Sequence, residues 1–459
     1  MTDTMASERI SAISPSGRTR AWLGKSWPYL LIAVLAIGSS ALHVARVTEI
    51  SPIDETRNLD YMLRIYDDGH IVKLGDRIDQ KAMRFEACRG LDFELPTPNP
   101  PCTSRRFESR DFRDDGFNNA VNHPPGYHLV TGAFAKATTL LGISNSELDP
   151  ARIFGGLWLA LGLMLALFAG ELLAIPRVPL VAAVAIFALA PDVLNSAAIV
   201  NADGASVFAG GLVLVAALLW ERGRLPMWCL ALAGAAVAAL KLTNLVVIVI
   251  IVLWFLSQAY RQRQGAEPDR PLPRRYVVAC CVLMGAAVVV SVVWLAIVGA
   301  RATIDPLRLG SNQMFYTENF PARVFFESNN LFSFFPAGGP AYRAPVLMVP
   351  TVIDVSIVSG WLCVVALVGN GLRFSVRDRL STLGAWAALV LVVAGPAFIF
   401  GTWLTSKVTF APSPRYALSA IPIVIVLLAS LVRGRTATIA ICFWAVISTV
   451  TILGALVFG

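Results

Sequence analysis

Five short stretches carry residue types that can do chemistry, and each lies at the edge of an apolar run. The first is Ser51-Pro52-Ile53-Asp54-Glu55-Thr56-Arg57. A carboxylate at a bilayer edge can take a proton from a hydroxyl or ligate a divalent ion. Two adjacent side chains cannot both point the same way, so one of the pair acts and the other supports. The plainer alternative is two solvated loop charges. The second stretch is Asn122-His123-Pro124-Pro125-Gly126-Tyr127. Its prolines fix φ near about −65° and force an extended entry into the next helix. Such a turn either presents His123 to a phosphate or sugar hydroxyl, or simply punctuates the helix. The third is Asn201-Ala202-Asp203-Gly204, where Asp203 either caps a helix, worth about 1 kcal/mol, or faces a site as a second carboxylate. The fourth, Lys241-Leu242-Thr243-Asn244, puts a cation at a helix end, where it snorkels to water or meets a lipid phosphate. In the fifth, Ser413-Pro414-Arg415-Tyr416, the planar guanidinium suits bidentate phosphate binding. Tyr416 would line the same pocket or anchor the interface, and Lys407 lies near in sequence.

The elements that must position these residues are membrane helices. Of the 459 residues, 56% are hydrophobic and only 15% charged, against about 25% charged in a soluble domain. Mean hydropathy is +0.65. This excludes a disordered chain and a soluble globular enzyme, and predicts an all-α polytopic membrane protein. The net charge of +8 reflects basic cytoplasmic loops and does not imply nucleic acid.

Apolar runs at 28–47, 153–174, 178–196, 204–220, 226–241, 243–259, 276–300, 346–369, 382–404, 416–432 and 436–457 predict about eleven spans. Residues 1–27 form a polar N-terminal tail, and 28–459 the transmembrane domain. Segment 127–142 is short and carries His128 and Lys136. If it does not span, Arg177, Glu221–Arg224, Arg261–Arg275, Arg373–Arg379 and Arg433–Arg435 all fall inside, as the positive-inside rule requires. Segment 124–150 is therefore read as interfacial or re-entrant. The same topology places all five stretches outside, together with a large loop 48–123 and a second loop 301–345.

Loop 48–123 holds 15 acidic and 11 basic residues, a net of −4. Cys88 and Cys102 are its only cysteines, and a bridge between them would contribute about 3 kcal/mol in an oxidising compartment. The other five cysteines lie in or at the ends of apolar runs and read as small hydrophobes. Loop 301–345 is aromatic, with Phe315, Tyr316, Phe320, Phe325, Phe326, Phe332, Phe334 and Phe335, and is expected to pack as interfacial helices or cover a lipid-tail groove.

The order of these stretches resembles the GT-C superfamily of membrane glycosyltransferases, above all the branch of protein O-mannosyltransferases and aminoarabinose transferases. The marks are Asp54-Glu55 opening the first outer loop, His123-Pro124-Pro125-Gly126-Tyr127 closing it, Asn201-Ala202-Asp203 before a span, and Arg415-Tyr416 near the C-terminal spans, with Arg152 at the start of another. Three departures stand out, one being that the outer loop has no second clear acidic motif, with Asp111, Asp114 and Asp115 as the candidates there. Gly126 replaces a bulky apolar residue, and Ala202 replaces an asparagine. The resemblance implies inverting transfer of a sugar from a polyprenyl-phosphate donor to a hydroxyl on a glycan, lipid or protein. It makes Asp54 the general base and Glu55 its support, or the ligand of a divalent ion (Mg or Mn), with no cofactor otherwise required. Arg415, Lys241 and His123 would bind the donor phosphate, with Tyr127, Asn201, Asp203 and Tyr416 supporting. It further implies an active site on the extracytoplasmic face of a bacterial cytoplasmic membrane. Two rivals remain: a transporter or flippase of lipid-linked sugars, disfavoured by the absence of repeated halves, and a non-catalytic scaffold.

Overall fold

The computed structural model describes residues 15–91, 100–265, 271–304, 315–316, 349–375, 378–409 and 412–458. Hydrocarbon offers a backbone no hydrogen-bond partners, so long apolar runs close their own i→i−4 bonds. The helices of the first half are α1 (Pro15–Arg46), α2 (Glu55–Asp67), α3 (Gln80–Arg89), α4 (Gly126–Leu140), α5 (Leu148–Leu172), α6 (Arg177–Ala188), α7 (Pro191–Ala198) and α8 (Ser206–Glu221). Then follow α9 (Met227–Leu240), α10 (Leu245–Arg263), α11 (Pro273–Arg301), α12 (Val349–Gly371), α13 (Arg379–Ser406), α14 (Ile421–Leu431) and α15 (Arg435–Phe458). The only ladder among the described residues is antiparallel and two residues long, pairing Phe315 with Thr409 and Tyr316 with Val408. The rest of the aromatic loop beyond residue 304 lies outside the described residues, as do residues 1–14 of the N-terminal tail.

Nine helical stretches among the described residues are long and apolar enough to cross a bilayer, or ten if α6 and α7, bent by 60° at their break, form one span. The expected eleven is not reached because α9 has only 14 residues. That is about 21 Å of helix against about 30 Å of hydrocarbon. Helices α5, α8 and α14 sit inside the bundle, while α11 and α15 turn most of their surface outward. Lipid tails are as apolar as leucine, so close packing at small residues holds such a bundle together. Gly210 of α8 shows this: a Cβ there would stand 1.8 Å from the Ser419 carbonyl, so only glycine lets residues 414–420 press against α8.

The two ends of the bundle differ. At one end Glu171 of α5 accepts from Tyr29 and Arg177 at 2.8 and 2.9 Å, and Arg222 donates to the Leu172 carbonyl. Glu221 of α8 accepts from Tyr276 at 2.7 Å and pairs with Arg379. The basic loops gather here. At the opposite end Arg152 opens α5, Lys241 follows α9, and Arg46 ties the end of α1 to the end of α15.

A folded layer covers this second end. It comprises α2, α3 and short 3-10 turns, and the structure joins Cys88 to Cys102 within it. Helix α11 reaches into the layer: Trp294 and Val298 pack with Tyr61, Val72, Leu74, Ala120 and Val121. At its end Arg301 donates to the Ile71 carbonyl at 2.7 Å, and just beyond it the Thr303 N–H donates to that of Leu74 at 2.8 Å. Helix α4 starts and finishes on this same side. The Asn201 N–H donates to Tyr127 Oη at 3.2 Å near its start, and Lys136 pairs with Asp67 at 2.6 Å near its end. It exposes Leu129, Val130 and Phe134, and the turn after it exposes Leu141 and Ile143.

Candidate active site

Asp54 sits just before α2 in the left-handed region, with φ 57°. Aspartate tolerates this region better than most residues. Its side chain makes no cap bond to α2. The backbone carbonyl instead accepts from the Asn58 N–H at 3.0 Å and the Asn58 amide at 2.9 Å. Asn58 is steadied in turn by His128 Nε2 at 2.9 Å, and His128 stacks on Tyr61. The Asp54 carboxylate is thus free to face outward, with 32% of its side chain exposed. Arg57 donates to Oδ1 at 3.2 Å and Arg415 to Oδ2 at 3.1 Å. Burial alone would raise this carboxyl, but Arg415 and Arg57, with Arg113 behind them, hold it below the usual carboxylate range.

Glu55 points in the opposite direction. It is fully buried. Oε1 accepts from Arg152 Nε at 2.7 Å and the Val200 N–H at 2.9 Å. Oε2 accepts from the other arm of Arg152 at 2.7 Å and the Ser51 N–H at 2.7 Å. Four donors fill the four acceptor positions of a carboxylate, which leaves none for a divalent ion or a proton in transit. Arg152 also donates to the Val47 and Glu49 carbonyls at 2.9 and 2.6 Å. The pair is a hub that fixes the strand of chain on which Asp54 sits. Among the described residues no three His, Cys, Asp or Glu side chains come together as a metal site.

Asn201, and not Asp203, caps the short turn 202–205: its Oδ1 accepts from the Asp203 N–H at 3.0 Å. Its amide donates to the Ile53 carbonyl at 3.1 Å, tying this turn to the Asp54 segment. Asp203 is released for other work. Its Oδ1 pairs with Lys241, and Arg415 Nε stands 3.5 Å from its Oδ2. Lys241 does not snorkel to water; its side chain and that of Asp203 are each 1% exposed. The Lys241 ammonium lies 4.9 Å from the Tyr416 ring centroid, within cation–π range. Arg415 NH1 is buried with no hydrogen-bond partner, which leaves a guanidinium donor unused beside Asp54. Lys407 stacks over Trp403 at 4.1 Å.

His123 closes the cluster as a neutral group. Burial and then the Lys241 cation push its pKa from 6.5 down to about 3, with Arg415 acting in the same sense and Asp54 against. Its Nδ1 is buried and unpartnered. The histidine expected to help bind the donor phosphate is thus kept uncharged, by burial first and by the Lys241 cation second. Gly126 explains one departure in the sequence. A Cβ there would lie 2.6 Å from the Ala239 carbonyl, so the His123–Tyr127 turn can meet the end of α9 only with glycine. Sequence reading missed Arg57 and Arg113. The available signal was the three-residue spacing of Asp54 and Arg57 at a helix start, which brings the two side chains to one face.

No family model matches the sequence, and no curated protein matches it. Among solved structures the chain is similar to ArnT from Cupriavidus metallidurans bound to undecaprenyl phosphate, with 15% identity and a TM-score of 0.47. The match covers 91% of this chain and 62% of that one, so the chain spans less than two thirds of its length. A likeness of this degree carries no function across.

Proposed function

We propose that the protein is a membrane glycosyltransferase that moves a sugar from a polyprenyl-phosphate donor to a hydroxyl acceptor. One observation carries the reading: a carboxylate about one-third exposed, Asp54, adjoins a guanidinium, Arg415, that has a buried and unused donor. The basic loops at the far end of the bundle would lie inside by the positive-inside rule, which sets this site on the extracytoplasmic face. The donor phosphate meets Arg415 and Lys241. Asp54 takes the acceptor proton as the acceptor oxygen attacks the anomeric carbon. The bond to the phosphate oxygen breaks, and polyprenyl phosphate leaves with its developing charge held by the two cations. A single displacement needs no enzyme nucleophile and inverts the anomeric centre. Tyr416 walls the phosphate side, and Asn201 and Tyr127 hold the backbone beneath it.

The test is release of polyprenyl phosphate by purified protein in nanodiscs, offered a panel of polyprenyl-phosphate sugars with glycan, lipid and peptide hydroxyl acceptors. Release from one donor class is expected. Binding without release, together with donor flux across vesicles, would replace transfer by transport.

A pH expectation follows from His123. Its depressed pKa leaves it uncharged above about pH 5, and Asp54, also depressed, is charged there. The profile of kcat/KM, which reports the free enzyme, should thus lack a limb between about pH 5 and 8. A limb near pH 6.5 that disappears in His123→Asn would show that His123 titrates in turnover.

A further inference from the structure

We propose that Arg57 is a positioning residue that holds the Asp54 carboxylate from the covering layer, independently of the cations that face the donor. The proposal rests on the reading of Asp54 as the base. Arg57 spends its whole fork on this task. NH1 donates to Asp54 Oδ1 at 3.2 Å, and NH2 to Asp114 Oδ2 at 2.5 Å and the Arg113 carbonyl at 3.2 Å. Nε donates to the Phe117 carbonyl at 3.1 Å. A planar guanidinium bound at all three nitrogens has one orientation.

What it joins is conformationally costly at both ends. Asp54 has φ 57°, and Asp114 and Asp115 have φ 55° and 53°. Such backbone persists where its surroundings over-determine it, and it gathers at functional sites. Arg113 adds a second tie by donating to the Pro52 carbonyl at 2.9 Å. The segment 113–117 and the Asp54 turn thus form one clamped unit.

The two carboxylate oxygens have separate guardians. Arg415, which also reaches Asp203, holds Oδ2 from the donor side. Arg57 holds Oδ1 from the layer side. When a phosphate engages Arg415, Oδ2 becomes free to take a proton while Oδ1 stays fixed. The charged groups that face or act on Asp54 are Arg57 from α2, Arg113 from the layer and Arg415 from residues 414–420, with Asp203 and Lys241 behind Arg415. His123 is neutral in this setting.

The test joins a chemical readout to a kinetic one. Carbodiimides modify protonated carboxyls, and peptide mapping reports Asp54 directly. Arg57→Gln should raise Asp54 modification at about pH 5 by about tenfold, because one of the two guanidinium groups that hold the carboxyl down is gone. It should lower kcat by about 100-fold, as loss of orientation does, with donor KM and polyprenyl-phosphate retention changed less than about twofold. Arg57→Lys restores the charge without the fork, so modification should return towards wild type while kcat stays low. Asp114→Asn, which loosens the fork without deleting it, covers the case in which Arg57→Gln does not fold, and should move both readouts the same way. Unchanged Asp54 modification in both Arg57→Gln and Asp114→Asn would overturn the proposal, as would a loss of polyprenyl-phosphate retention equal to the loss in kcat. If the wild type turns over no donor, the transferase reading fails, while the modification readout still decides the role of Arg57.

Discussion

Asp54→Asn is expected to cut turnover by about 10²–10⁴-fold, the usual contribution of a positioned general base. Donor binding should hold or improve. Asparagine keeps the size of the side chain and an oxygen for one arginine, but it removes the proton acceptor. It also removes the negative charge that occupies Arg415, so that guanidinium becomes more available to a phosphate. Loss of kcat without a rise in donor KM therefore separates a base from a binding residue. The measurement is single-turnover release of polyprenyl phosphate beside equilibrium retention of the carrier. Turnover within tenfold of wild type would sink the assignment of the base. Arg415→Ala differs in kind, because it takes away the proposed phosphate ligand as well as the partner of Asp54, and should weaken binding and rate together.

The second large effect is on folding. Arg152→Met should destabilise the protein by about 3–5 kcal/mol, since removing one partner of a buried ion pair strands the other charge. Glu55 would keep two backbone N–H donors but lose both arms of the guanidinium. Glu55→Gln combined with Arg152→Met should recover part of the loss, because no uncompensated charge then remains. The readout is the unfolding midpoint in detergent together with folded yield. If Arg152→Met unfolds with the wild-type midpoint, the hub carries no structural weight, and Glu55 returns as a candidate for chemistry.

The contrast between Asp54 and Glu55 shows where sequence reading reaches its limit. Adjacent residues on an irregular turn point in different directions, and the sequence states only that they differ. The left-handed backbone at Asp54 decides which faces outward, and tertiary contacts with Arg152 and Val200 impose that choice. The apolar runs were legible because hydrocarbon demands about 20 apolar residues for a span whatever the partners. For the same reason α9 misled: the run is apolar from Pro226 to Leu240, yet its helix has only 14 residues and ends there, so that Lys241 can turn in to Asp203. Arg415 stood out because a positive charge on that face opposes the trend of the other loops. Arg57 did not, since one arginine among eleven basic residues in a charged loop carries no mark of its own. Its role comes from long-range contacts with residues 113–117 that only the fold supplies. Cys88 and Cys102 were paired by exclusion, being alone in their loop, and the structure joins them.

Helix α11 has 29 residues, which at 1.5 Å each makes about 43 Å, some 13 Å more than the hydrocarbon it crosses. Its far end is fastened to the covering layer by Arg301 and by the Thr303 that follows it. A rod of that length acts as a strut. It sets the altitude of the layer, and with it the altitude of Asp54, by counting residues and not by the thickness of the lipid around it. Under the proposed reaction, a carrier phosphate at the headgroup level would meet a ceiling built at fixed height, and an acceptor would come in beneath it.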